Sequence, residues 1–258
     1  MRPAAASGSH RPIAIGAVLR DTWNLYKKLF ACTVLTGGLV FASLGLLDLV
    51  LEVLPAGNTR LLLTVVAIAL PIVGTALVQG ALVEAVNDEH EGGQRGSIVD
   101  LYRTAWKRVG PLVGVSLLTG FGVAAGALLL IVPGIVLAVR WSLAVPVVML
   151  EKKSPRAAMG RSRELVRGHS WAVFRVLLNV GIITGALSLG VRFLAVAILG
   201  GSHITLATWV GATFGGAIAT PYLSHALSVV YYRLAQPDRP VIPEPGRRWA
   251  TVWDEQAG

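Results

Sequence analysis

Six long apolar runs, at roughly 29–54, 61–86, 111–132, 134–150, 171–200 and 204–232, fill most of this chain. Each approaches or exceeds the roughly 17–25 residues with which a helix crosses a hydrocarbon core about 30 Å thick. Lipid offers backbone N–H and C=O groups no partner, so a spanning run must be a helix or a strand of a closed barrel. The period-two alternation of a barrel strand is absent here. The runs therefore predict an all-α fold: a polytopic membrane helix bundle of six spans. Composition agrees, because 54% hydrophobic and 14% charged residues with a mean hydropathy of +0.65 exclude a disordered or ordinary soluble chain. The expected organisation is a disordered tail over 1–12, a membrane domain over 13–234 and a Pro-rich cytoplasmic tail over 235–258.

The net charge of +9 invites a nucleic-acid reading, but its placement opposes one. Lys and Arg number five in 1–28, four in 85–110, six in 151–170 and four in 233–258, against Arg60 alone in the alternate turns. Nineteen against one is a positive-inside signature, which puts both termini in the cytoplasm of a cell-membrane protein. No base-stacking or groove-reading module accompanies the charge, so nucleic acid is not an expected partner. Cys32 is the single cysteine, which rules out an intramolecular disulfide and reads as an inert buried thiol. No early apolar core precedes residue 29, so the first span is expected to be an uncleaved anchor.

Three basic segments, over 13–28, 97–109 and 155–168, repeat one pattern of a short amphipathic helix leading into a span. Ile15, Leu19, Trp23 and Tyr26 form one stripe, and Ile98, Leu101, Tyr102, Ala105 and Val109 form the next. Such helices suit the headgroup boundary, apolar face down. Trp23 and Trp106 are expected at that depth. Ser97 with Asp100 has the form of a capping box, Ser154-Pro155 that of a helix start, and Gly168 that of a helix stop.

The stretch IVPGIVLAVRWSLAVPVVMLE over 131–151, followed by SPRAAMGRSRELVRG and a tryptophan opening the next run, resembles the membrane-domain family of glycerophosphoryl diester phosphodiesterases. The positions that carry the resemblance are Pro133, Gly134, Arg140, Pro146, Glu151, Ala157, Ser162, Leu165 and Gly168, with a looser match in the closing YYRL of 231–234. The resemblance implies a membrane module, in some members attached to a catalytic barrel. A barrel of roughly 250 residues does not fit in these tails, so the expectation is the membrane part without that activity.

No set of residues has catalytic spacing. The five histidines form neither H-E-x-x-H nor C-x-x-C patterns, and Asn87-Asp88-Glu89-His90-Glu91 reads as a hydrated loop rather than a metal site. No catalytic residue, metal or cofactor is expected. Small-xxx-small pairs at Gly110/Gly114, Gly122/Gly126, Gly181/Gly185 and Gly211/Gly215 suit close helix packing. Charges inside spans cost at least ~2.5–3.5 kcal/mol each, which draws attention to Asp48, Glu52, Arg140 and Arg192. Placed on straight spans, these four share a depth near the outer face and balance in sign. They are the candidate polar cluster, with Arg140 paired to Asp48 or Glu52 at about two-thirds of the bilayer height. Glu84, Arg175 and His225 lie deeper in the cytoplasmic half, and Pro71, Pro146 and Pro221 are positioned to kink their spans.

Two functions fit these observations. The first is a non-enzymatic accessory, anchoring or envelope-maintenance module acting through membrane lipids, another membrane protein or a homodimer. The second is a transporter or permease subunit using an outward polar site. Charges held near the interfaces rather than at the midplane favour the first.

Overall fold

The structure is a computed structural model that describes residues 14–53, 57–91, 97–199 and 204–237. These residues form helices and connecting turns, with no strand among them. The order is α1 (Ile15–Val53), α2 (Asn58–His90), α3 (Ile98–Trp106), α4 (Val109–Leu129), α5 (Ile131–Trp141), α6 (Ala144–Leu150), α7 (Pro155–Val166), α8 (Ser170–Leu199) and α9 (Ile204–Ala235). Among the described residues, four segments, Leu61–His90, Val109–Leu129, Ile131–Leu150 and Ser170–Leu199, are long and apolar enough to cross a membrane.

Packing divides the molecule into two halves along the helix axes. At the basic end, Val18, Leu25 and Leu29 of α1 meet Ala81, Val83, Ala85 and Val86 of α2, Leu112 and Val115 of α4, Val147 and Val148 of α6, and Val229–Tyr232 of α9, all buried. Polar contacts clamp this end. Arg233 reaches Asp21 at 2.6 Å, Tyr232 donates to Asn87 at 2.7 Å, and Lys28 pairs with Glu89. Towards the other end apolar side chains face outward: Leu61, Leu62 and Val65 on α2, and Leu189, Phe193 and Ile198 on α8. Contiguous apolar surface of this extent marks contact with a hydrophobic phase rather than water.

Several expectations change. Residues 15–28 are not a separate interfacial helix, because α1 runs unbroken for 39 residues, about 58 Å at 1.5 Å per residue. Its buried stripe is Val18, Thr22, Leu25, Tyr26 and Leu29, leaving Trp23 half exposed. The apolar stripe predicted through Trp23 is thus rotated by about one position, because α9 rather than lipid receives that face. Tyr26 donates to the Ile218 carbonyl at 3.1 Å and packs edge-on against Tyr222. Likewise α3 turns Leu101 and Ala105 inward beside Gly80 of α2. Asn87–His90 complete α2 rather than form a loop, and His90 contacts Gln236. Among the described residues no group of three metal-ligating side chains occurs.

The fourth apolar run is not one straight helix. It breaks at Ser142–Leu143 into α5 and α6. Buried Ser162 of α7 spans the break, accepting from the Leu143 N–H at 3.1 Å and donating to the Arg140 carbonyl at 2.8 Å. Two backbone groups that a kink would strand in an apolar interior are thereby satisfied. The capping-box pattern at Ser97 makes no side-chain cap, and Ser154 is an N-cap without a side-chain bond but with Pro155 at the first helical position.

Candidate functional site

α5 ends beside α7 just before the break in the fourth run, and Arg140 lines a cavity of about 260 Å³ with Arg163, Arg167, Gly168 and Ser170. Arg163 and Arg167 are four residues apart on α7 and its cap, so they project from one face. Gly168 has φ +85°, a left-handed conformation that residues with a Cβ adopt at a cost. That turn reverses the chain so that α8 starts at the cavity wall, where the Ser170 hydroxyl donates to the Val166 carbonyl at 3.2 Å.

All three arginines are exposed, and none has an ion-pair partner among the described residues. Arg161 is different, for it is held by Glu151 and Glu164. A guanidinium presents a planar fork of donors that fits phosphate or carboxylate oxygens two at a time. Trp171, the second residue of α8, is two-thirds exposed and stacks on Phe174 at 5.2 Å. An exposed indole at a span end is the usual occupant of a membrane–water boundary.

Below the cavity Glu151 ties three elements. Its carboxylate takes Lys153 at 3.0 Å, Arg161 at 3.2 Å and the Tyr231 hydroxyl of α9 at 3.2 Å. Burial pushes its carboxyl up, but hydrogen bonds and charge from Lys153 and Arg161 outweigh that and hold it below the usual carboxylate range.

Two members of the predicted outer cluster, Arg140 and Arg192, stand apart. Arg140 stands at the start of α8, whereas Arg192 is twenty-two residues along that helix, about 33 Å away. Arg192 lies with Leu189, Gly190, Phe193 and Val196. The side chains of Asp48 and Glu52 fall outside the described residues. Of the remaining ionisable positions, His225 is fully buried, edge-on to Tyr26. Arg163 and Arg167 were visible in the sequence only as topology charge. Their four-residue spacing ahead of Gly168 is the signal that could have singled them out.

Six of the nine motif positions, by contrast, serve the joints between helices. Pro133 and Gly134 open α5, Pro146 lies in the first turn of α6, Glu151 caps it, Ser162 seals the break and Gly168 makes the turn into α8. Residues 113–220 match the family model described as the membrane domain of glycerophosphoryl diester phosphodiesterase. The resemblance seen in residues 131–168 therefore holds over that longer stretch. No curated protein and no solved structure matches the chain.

Proposed function

We propose that this membrane protein, built around a segment of the glycerophosphoryl diester phosphodiesterase membrane-domain family, is a non-catalytic accessory module that holds an anionic phospholipid by its headgroup phosphate. The observation that carries this reading is the convergence of Arg140, Arg163 and Arg167, without a carboxylate, on one cavity beside Trp171. Three like charges in one place repel one another and are stabilised together by an anion. The boundary Trp and the apolar belt above it put lipid headgroups within reach. The basic segments lie at this same end, so the proposal places it, with both termini, in the cytoplasm of a multi-pass protein. An anchoring or envelope-maintenance role follows from lipid binding without chemistry.

The test is native mass spectrometry of the protein released from nanodiscs containing phosphatidylcholine and phosphatidylglycerol. The wild type should retain phosphatidylglycerol preferentially, and Arg140→Gln/Arg163→Gln/Arg167→Gln should lose that preference while keeping bulk lipid. Equal preference in the folded variant would overturn the proposal.

A further inference from the structure

We infer that α4 and α5 form a re-entrant hairpin whose tip ends in the hydrocarbon of the bilayer and does not emerge on the far side. The tip, Leu128 to Val132, has five aliphatic side chains that are 89, 80, 69, 73 and 69% exposed. From Phe121 to Val139 there is no charged or polar side chain. The chain's other two outer connections are written differently, as Pro-Ala-Gly-Asn-Thr-Arg over 55–60 and Gly-Gly-Ser-His over 200–203. A water-facing turn has the second kind of composition. The first kind has a favourable solvent only in acyl chains.

Length gives an independent measure. Arg140 and Ser170 line one cavity, so α5 and α8 leave from a common base. From there α8 extends 30 residues, about 45 Å, enough to cross the bilayer even at the largest common tilt of about 40°. α5 has 11 residues and reaches about 16 Å, roughly half of a 30 Å core. If the α5 tip stood at the far surface, the apolar outer part of α8, with Leu189, Phe193 and Ile198 exposed, would project into water. If α5 and α6 together made a span instead, Arg140 would lie mid-bilayer and take Arg163, Arg167 and the start of α8 with it. Each such charge costs at least ~2.5–3.5 kcal/mol.

The turn is also made for lipid. α4 and α5 are separated by one residue, Leu130. Its N–H bonds the Gly126 carbonyl at 3.0 Å and its carbonyl accepts from Gly134 at 3.5 Å. Pro133 has no N–H and so removes one of the unpaired donors of the α5 start. The two backbones touch there, since a Cβ on Gly134 would lie 2.8 Å from the Ala127 nitrogen. Such a hairpin leaves four crossings, α1, α2, α8 and α9, and the orientation of both termini is unchanged.

Single cysteines in a Cys32→Ser background test this directly. Gly201→Cys should react with a membrane-impermeant maleimide in intact cells, and Gly93→Cys only in inverted vesicles. Leu130→Cys and Leu128→Cys should lose labelling from both sides. Spin-labelled in phosphatidylcholine vesicles, they should show high collision with oxygen and low collision with a nickel chelate. Labelling of Leu130→Cys from outside at the level of Gly201→Cys would overturn the hairpin. So would loss of labelling with low oxygen access, which would mean that protein covers the tip.

Discussion

The two halves of α4 are made of similar residues and live in different solvents. Leu112 and Val115 are fully buried in the core, whereas Leu128 and Leu129, about four turns further along the same helix, are almost fully exposed. Composition does not separate them. What separates them is that the basic end is held by protein contacts and polar clamps, while the outer end depends on lipid to cover it.

The widest difference should appear in paired truncations on this helix. Leu112→Ala should lower stability by about 2–5 kcal/mol, the range for an emptied core site. Leu129→Ala should stay within about 0.5 kcal/mol, as at surfaces without special contacts. Denaturation in mixed detergent micelles reads both, and equal losses would erase the distinction. Next in size, Ser162→Ala strands the Leu143 N–H and the Arg140 carbonyl and should cost about 1–3 kcal/mol.

Glu151→Gln sharpens the comparison through pH. Its carboxyl is held below its ordinary value of 4.5 in the folded protein. The ionised group therefore contributes stability that is fully present above that ordinary value and is lost as pH falls through the lowered folded pKa. The variant should be less stable at neutral pH by about 1–2 kcal/mol, and the gap should close in acid. A gap that widens in acid would reverse the assigned direction. Smallest of all, Arg163→Gln should leave thermal stability unchanged or slightly raised in lipid-free micelles, since it relieves like-charge repulsion without breaking an ion pair. A clear loss would mean that the arginines serve the fold.

Much of this was legible in sequence. The apolar runs gave the helices, the basic segments gave one charged end, and Pro155 and Gly168 marked the limits of the α7 joint. The break between α5 and α6 leaves no mark in the uniform hydropathy of the fourth run. The break depends on Ser162, a contact about twenty residues away that no local pattern announces. The rotated face of α1 has the same origin, for Tyr26 finds its partners on α9, nearly two hundred residues on.

Ser162 also removes a freedom that the break would otherwise have. Holding the Arg140 carbonyl and the Leu143 amide with one hydroxyl fixes the bend between α5 and α6 to the position of α7. Arg163 is the next residue along. The bend, the lean of the apolar hairpin above it and the spacing of the arginines are thus geared together, so none of the three can change while the other two stand still.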